Sequence, residues 1–236
     1  MSIKTVLFDL DGTLLPMDMD AFTTGYFKLL AKKVAPLGYE PQKLVKSIWA
    51  GTAAMVKNDG SCTNEDAFWK LFASLYPGQD VLKDKPVFDE FYRIEFQGAQ
   101  AVCGFDPVAA ETVNKIKEAG YRVTLATNPL FPHVATESRI RWAGLEPEDF
   151  EDYTTYENCH YCKPNPQYYV EVLERLGLKA EECLMVGNDV DEDMIAETLG
   201  MKVFLLTDCL INKHDKDISA YPHGNFADLQ KWLLGE

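Results

Sequence analysis

The chain has 236 residues, of which 47% are hydrophobic, so it can bury a sizeable core. Its formal net charge of −14 argues against nucleic acid or anionic lipid as a partner, because binding either one normally needs a basic patch. The sequence has no run of roughly 18 apolar residues that would cross a membrane, and its six cysteines show no disulfide-framework spacing. We therefore expect a cytoplasmic protein that binds neither membrane nor nucleic acid, and the sequence predicts no oligomeric state.

Two carboxylates, Asp9 and Asp11, directly follow the short apolar run from Val6 to Phe8. Carboxylates this close repel each other unless a cation or a proton separates them. One interpretation is chemistry on phosphate, in which Asp9 attacks and Asp11 handles protons. The other is a simple turn, in which Asp11 and Gly12 reverse the chain after a strand. Taken alone, this segment leaves both interpretations open.

Between Leu15 and about Gly98 the sequence is helical in pattern, without a strand signal. The predicted helices are Met19 to Val34, Pro41 to Val56, Asn64 to Leu75 and Pro86 to Phe96. Thr63 is the predicted N-cap of the third helix. Two strands of one sheet do not need about eighty helical residues between them. We therefore predict an inserted all-helical domain over residues 16–98, and a core formed by residues 1–15 and 99–236.

The rest of the chain repeats a pattern of helix, glycine and strand. Predicted helices end at Gly120, Gly177 and Gly200, and each is followed by an apolar, strand-like run. Glycine suits the left-handed conformation that ends many helices. Repeated helix and strand units with continuously apolar strands favour a parallel sheet. The predicted fold class is α/β: a parallel Rossmann-like sheet with helices on both faces, plus the helical insertion.

Polar residues follow several of the predicted strands. Asp9, Thr127 and Asp189 each lie at the carboxyl end of a strand, and Lys163 lies just before the predicted helix Gln167 to Leu176. Open parallel sheets bind ligands outside the carboxyl ends of their strands. We therefore expect these residues, although far apart in sequence, to meet in one crevice.

The same residues resemble the motifs of a known family. The run from Asp9 to Thr13 resembles the first motif of the haloacid dehalogenase superfamily, whose members are mostly phosphohydrolases that work through an aspartyl-phosphate. Thr127, Lys163 and the acidic run from Asp189 to Asp193 are similar to the second, third and fourth motifs, in order. The resemblance spans nearly the whole chain. It also extends to the helical insertion, which is similar to the cap that many members carry between the first and second motifs.

The resemblance implies a role for each matched residue. Asp9 would be the nucleophile, and Asp11 would protonate the departing alkoxide and later accept a proton from the attacking water. Lys163 would neutralise charge on the phosphoryl group. The Thr127 hydroxyl and the Asn128 backbone amide would donate hydrogen bonds to the phosphoryl oxygens.

The implied cofactor is Mg²⁺, held by oxygens of Asp9 and Asp189 and by the main-chain carbonyl of Asp11. Asp193 would act through water or hold Lys163. For the two acids between Asp189 and Asp193, Asp191 and Glu192, we expect only the acidic first turn of a helix.

The predicted function is a magnesium-dependent phosphohydrolase, an HAD-like phosphatase that acts on a small phosphorylated metabolite. A phosphomutase of the same superfamily remains open, because it would keep both aspartates. A 2-haloacid dehalogenase is less favoured, since a departing halide needs no proton and Asp11 would have no use. An inactive binding protein is also less favoured, because all four motif positions hold competent residues. For Cys159 and Cys162 we expect packed thiols, and the physiological substrate is not predicted.

Overall fold

A single parallel sheet has the strand order β2-β1-β3-β4-β5 in the computed structural model, which describes residues 2–235. The strands are β1 (Thr5–Phe8), β2 (Arg122–Leu125), β3 (Cys183–Gly187), β4 (Lys202–Leu206) and β5 (His223–Gly224). The α-helices are α1 (Met19–Val34), α2 (Pro41–Val56), α3 (Asn64–Ser74), α4 (Val81–Arg93), α5 (Pro107–Glu118), α6 (His133–Trp142), α7 (Pro166–Leu176) and α8 (Phe226–Leu234). Short 3₁₀-helices span Ala35–Leu37, Glu95–Val102, Pro147–Asp149, Ala180–Glu182 and Met194–Leu199. Within the described residues, no helix is both long and apolar enough to cross a membrane.

Both faces of the sheet are covered by helices. Val6 and Phe8 of β1 pack into a hydrophobic cluster with residues of α5, α6 and α8. Leu7, which lies between them, packs into a second cluster with residues of α7 and Met194–Leu199. Successive side chains of a strand point to opposite faces, so this alternation buries the sheet on both sides. The predicted α/β fold class is confirmed.

Helices α1 to α4 occupy the chain between β1 and β2, and the described residues there form no further strand. The N-cap prediction for α3 is confirmed, because the Thr63 hydroxyl accepts a hydrogen bond from the backbone N–H of Asp66 at 3.1 Å. From the sequence we predict a loop between Asn212 and Asn225, and this prediction is incomplete. The segment from Asn212 to Asn225 contains the two-residue edge strand β5.

Helix α4 begins earlier than the predicted Pro86 and ends at Arg93 instead of Phe96. Its first residue, Val81, is buried in the same cluster as the sheet. Pro86 therefore lies inside the helix, where its missing N–H leaves the carbonyl of Leu82 without a helical partner. Leu82 is 61% exposed, so water can bond to that carbonyl. The burial of Val81 therefore favours a helix that begins before Pro86, although proline usually lies in the first turn of a helix.

The 3₁₀-helix Glu95–Val102 crosses the predicted domain boundary at residue 98 and binds α6. The side-chain amide of Gln97 donates to Ser138 Oγ at 2.8 Å, and its carbonyl oxygen accepts from Trp142 Nε1 at 3.2 Å. The division into a core and a domain over residues 16–98 stays a prediction.

Phe96 is fully buried where α1 meets α6 and the segment before α6. Its ring centroid lies 5.2 Å from that of Trp142 in α6, 6.2 Å from Phe22 in α1 and 6.3 Å from Phe131. Aromatic pairs at such spacings contribute beyond the area that they bury. The ring therefore connects elements that are far apart in the sequence.

We predict that Phe96→Ala lowers the free energy of unfolding by about 3–5 kcal/mol, because it leaves a cavity where several elements meet. Leu82→Ala, at an exposed apolar residue of α4, should change it by less than about 0.5 kcal/mol. Urea unfolding followed by circular dichroism measures both values. Similar losses for the two variants would contradict this account of Phe96.

Candidate active site

The ends of three neighbouring strands bring the predicted residues together. Asp9 directly follows β1, Thr127 follows β2, and Asp189 follows β3. Since β1 lies between β2 and β3, these three positions share one edge of the sheet. They line a cavity of about 990 Å³, here called the main cavity, together with Asp11 and Asn128. The expected convergence of the motif residues is therefore observed.

The turn after β1 depends on a glycine at its centre. Gly12 has a φ of 83°, and a Cβ there would come 2.4 Å from Asn188 Nδ2. This close approach lets the Thr13 hydroxyl lie 3.0 Å from Asp9 Oδ2 and 2.9 Å from Asn188 Oδ1. Asn188 in turn donates to the carbonyl of Cys209 at 2.7 Å. The turn thus holds one oxygen of Asp9 in place.

The other oxygen of Asp9 is held by Lys163. The Lys163 side chain is 1% exposed, and its Nζ lies 3.0 Å from Asp9 Oδ1 and 2.6 Å from Asp193 Oδ1. Burial by itself would lower the pKa of Lys163, but Asp193 and Asp9 outweigh it and raise that pKa well above its ordinary value. The ammonium group is therefore a permanent positive charge behind the cavity.

Asp193 reaches Lys163 because Gly187, the last residue of β3, has no side chain. A Cβ at this glycine would lie 2.1 Å from Asp193 Oδ2 and 2.2 Å from Asp193 Cγ. The same Oδ2 accepts a hydrogen bond from the backbone N–H of Asp189 at 3.0 Å. Asp193 therefore contacts Lys163 directly. Of the two roles predicted for it, action through water or contact with Lys163, the structure has the contact.

Asp11 has a partner that sequence reasoning missed. The fully buried Arg139 of α6 donates from Nη1 to Asp11 Oδ2, and its guanidinium lies 4.5 Å from the centre of the Phe131 ring. Asp11 Oδ1 is buried without a hydrogen-bond partner among the described residues. Burial raises the pKa of Asp11, and this effect exceeds the opposing influence of Arg139. No sequence signal distinguished Arg139 from the exposed Arg141 on the same helix.

The two carboxylate oxygens of Asp189 have different partners. Its Oδ1 accepts hydrogen bonds from the backbone N–H groups of Asp191 and Glu192, at 2.8 and 3.0 Å. Its Oδ2 lies 3.8 Å from Nζ of Lys213, a side chain that is 65% exposed. The turn after β3 therefore orients Asp189 towards the cavity.

Asp191 and Glu192 do not form the first turn of an α-helix as expected, because the chain turns and then enters the 3₁₀-helix Met194–Leu199. Asp191 forms an ion pair with Lys216 near the surface. Glu192 lines the main cavity and accepts a hydrogen bond from Asn128 Nδ2 at 2.9 Å. Burial raises the pKa of Glu192 to about 7, although Lys163 opposes the shift. The two acids thus differ in environment.

Thr127 and Asn128, which follow β2, are held by hydrogen bonds from residues between Thr154 and Tyr168. The Thr127 carbonyl accepts hydrogen bonds from the hydroxyls of Thr154, at 2.6 Å, and Tyr168, at 2.9 Å. Asn128 Oδ1 accepts from the backbone N–H of Lys163 at 3.2 Å. The second and third motifs are therefore connected directly.

Carboxylates predominate among the charged residues that line the main cavity. Besides the predicted aspartates it contains Asp18, Asp20, Glu192 and Asp193, with Lys213 as its cationic residue. Among residues 2–235 no group of three or more His, Cys, Asp or Glu side chains is arranged to hold a metal ion. The predicted magnesium site uses only two side-chain carboxylates, Asp9 and Asp189, and a main-chain carbonyl. Hard oxygen donors in such an excess of negative charge fit this ion.

Cys159 and Cys162 are buried free thiols. Burial raises the pKa of Cys159 to about 12 and raises that of Cys162 as well. Cys162 Sγ accepts a hydrogen bond from Asn64 Nδ2 at 3.3 Å, so this thiol packs against α3.

Comparison with known proteins identifies phosphatases among the relatives of this chain. A glyceraldehyde 3-phosphate phosphatase of Methanothermobacter thermautotrophicus is 26% identical over 216 residues, which cover 86% of this chain and 85% of the relative. A phosphoglycolate phosphatase of Vibrio parahaemolyticus is 27% identical over 235 residues, which cover 98% and 95% of the two chains.

Solved structures share the fold. An HAD phosphatase from Thermococcus onnurineus has a TM-score of 0.61 at 19% identity, and a 2-haloacid dehalogenase from Pseudomonas syringae has 0.64 at 20%; each alignment covers 99% of both chains. At these sequence identities, the comparison shows only that the proteins share a fold. The family model for haloacid dehalogenase-like hydrolases matches residues 3–196. The predicted resemblance and the prediction of an enzyme are therefore confirmed: the chain belongs to the haloacid dehalogenase-like hydrolase family.

Proposed function

We propose that this enzyme is a magnesium-dependent phosphohydrolase that cleaves a small phosphomonoester through an aspartyl-phosphate on Asp9. The observation that carries the proposal is the fixed Asp9 carboxylate, with Lys163 on one oxygen and the Thr13 hydroxyl near the other. Named phosphatases among the relatives support the same class of reaction.

Asp9 would attack phosphorus and displace the alcohol of the substrate, so that one difficult displacement becomes two easier ones. Phosphoryl transfer depends mainly on positioning and on positive charge near the transferred oxygens. Lys163 supplies a positive charge, because Asp193 and Asp9 raise its pKa despite the opposing effect of burial. Thr127 and Asn128, which line the cavity beside it, are the proposed hydrogen-bond donors to the phosphoryl group.

Asp11 would be the general acid and base. In the first step its protonated carboxyl gives a proton to the departing alkoxide, and in the second it takes a proton from the water that attacks the Asp9 phosphate. Two observations support this role: burial raises its pKa, and its Oδ1 has no partner among the described residues. Arg139 is the proposed positioning residue, because it holds Oδ2 and leaves Oδ1 to face the reaction.

Asp9, Asp189 and the carbonyl of Asp11 would hold Mg²⁺. When bound, the ion supplies positive charge that a dianionic phosphate needs in a cavity lined with carboxylates. The helices over residues 16–98 would form the cap that selects the leaving group and limits water access. Asp11 argues against dehalogenation, because a departing halide needs no proton.

Asp9→Asn should lower kcat by at least about 10³-fold, because an amide is not a competent nucleophile here. The rate of inorganic phosphate release from p-nitrophenyl phosphate and ethyl phosphate measures kcat. Free phosphate also distinguishes a hydrolase from a phosphomutase, which would return the phosphoryl group to a hydroxyl. Asp20→Asn makes the same chemical change at an exposed residue of the cavity and should have little effect. Wild-type turnover by a folded Asp9→Asn variant would exclude covalent catalysis by this residue.

Removal of divalent ions by EDTA should abolish turnover, and added Mg²⁺ should restore it. Asp189→Asn should raise the Mg²⁺ concentration needed for half-maximal activity by at least about tenfold. The matched control is Asp191→Asn, since that carboxylate pairs with Lys216 near the surface. A larger effect at Asp191 than at Asp189 would mean that the ligand is misassigned, and full activity in EDTA would exclude the ion.

Arg139→Met should slow ethyl phosphate hydrolysis by about 10²-fold but p-nitrophenyl phosphate hydrolysis much less, because only the first leaving group needs a well-placed acid. Arg139→Lys should restore part of the loss. Arg141→Met, at an exposed neighbour on α6, is the control. Equal losses on both substrates in folded Arg139→Met would argue against the positioning role.

A further inference from the structure

A second cavity, of about 120 Å³, lies among helices α1 to α4, and we call it the aromatic pocket. None of the side chains that line it is charged. Its walls include the rings of Phe22, Phe27, Trp49, Phe68 and Trp69. An apolar space of this kind favours a ligand that has carbon surface to bury.

Four of the polar side chains in its walls form two hydrogen-bonded pairs. The hydroxyls of Tyr26 and Tyr92 lie 2.9 Å apart and share a hydrogen bond. Trp69 Nε1 donates to the Tyr156 hydroxyl at 3.5 Å. A ligand in the aromatic pocket would therefore meet mainly carbon, and hydroxyl groups on that ligand would lose their water without finding strong partners.

The aromatic pocket adjoins the main cavity. The two cavities share Met19, Leu130 and Phe131 as lining residues. The Phe131 ring also contacts the guanidinium of Arg139, which holds Asp11. Phe131, which lines both cavities, is thus linked through Arg139 to the Asp11 carboxyl that would protonate the leaving oxygen. A leaving group that extended from Asp11 along Phe131 would therefore reach the aromatic pocket.

The charges of the main cavity disfavour a second anionic group on the substrate. Its lining is rich in carboxylates, and the cation in that lining, Lys213, is largely exposed. The two buried cations nearby, Lys163 and Arg139, are already bound to carboxylates. A leaving group that carries a carboxylate would meet like charge, which raises its energy in a poorly solvated space.

We propose that the aromatic pocket binds the leaving group of the substrate, and that the enzyme prefers an uncharged, apolar leaving group about as large as one benzene ring. The volume supports this size, because an apolar cavity of about 150 Å³ in another protein binds benzene. Trp49 and Met19, at the edges of this space, are 53% and 42% exposed, so a bound ring would cover apolar surface that now faces water. This inference rests on the proposed phosphohydrolase activity.

The first experiment compares kcat/KM of the full-length enzyme with Mg²⁺ for benzyl phosphate, ethyl phosphate and 2-phosphoglycolate. Benzyl and ethyl alcohols are similar leaving groups in basicity, so their difference reports on binding of the ring. Benzyl phosphate should exceed ethyl phosphate by about 10–200-fold, and 2-phosphoglycolate should be the poorest.

The outcomes separate the two proposals. Hydrolysis of ethyl phosphate or 2-phosphoglycolate as fast as benzyl phosphate would overturn the role of the aromatic pocket and leave the phosphohydrolase intact. If the enzyme releases phosphate from none of these three substrates and none from p-nitrophenyl phosphate, the proposed function is overturned and this inference with it.

The second experiment fills the pocket. Thr52→Phe adds a ring at a lining residue of α2 and should lower the ratio of benzyl to ethyl phosphate kcat/KM at least about tenfold. Ala53→Phe adds the same ring at the next, exposed residue and should leave the ratio unchanged. Trp49→Ala removes a ring that lines the pocket and should also lower the ratio. Because Trp49 is 53% exposed, this variant is expected to fold. An unchanged ratio in folded Thr52→Phe or in Trp49→Ala would show that the cavity is only a packing gap.

Discussion

The buried ammonium of Lys163, between Asp9 and Asp193, is the interaction on which the site depends. A charge removed from water is tolerated only when it is paired and hydrogen-bonded. Here the pairing draws together the end of β1, the segment before α7 and the turn after β3. Asn128 adds the end of β2 by accepting from the Lys163 backbone. Two ion pairs and one hydrogen bond of the same lysine residue therefore connect all four motifs.

The position of the site could be predicted from sequence because a simple rule relates it to the fold. Asp9, Thr127 and Asp189 are polar residues at the ends of apolar runs, and parallel strands present their carboxyl ends at one edge. The α/β class followed from glycines that end helices before strands, such as Gly120 and Gly177. These signals are local, so a single sequence contains them.

Contacts that depend on tertiary packing could not be predicted. Arg139 and Arg141 are two residues apart on α6, and only the packed structure shows which one is buried against Asp11. Glu192 and Asp191 differ in the same way, since one faces Asn128 in the cavity and the other faces Lys216 near the surface. The start of α4 was misplaced because proline preference is local, whereas the burial of Val81 is not.

The aromatic residues of α1 to α4 illustrate a limit of periodicity. Their helical spacing predicts residues that face inward, and Phe72 and Phe91 are indeed fully buried. The same spacing also places Phe22 and Trp69 on the wall of a cavity. A packed core and an apolar binding pocket need the same kind of side chain on the same face of a helix. Only the gap between the helices distinguishes them.

Gly187 weakens its own strand, yet the fold and the site both depend on it. Glycine weakens a strand because it loses more conformational freedom on folding and contributes no side chain to packing. A valine there would suit the buried strand β3, yet its first carbon would occupy the space of the Asp193 carboxylate. Any side chain at this residue would therefore push Asp193 away from Lys163 and leave two buried charges unpaired. Breaking a buried ion pair costs about 3–5 kcal/mol, whereas a glycine in a strand costs only about 0.5–1 kcal/mol, so replacing Gly187 would weaken both the fold and the site.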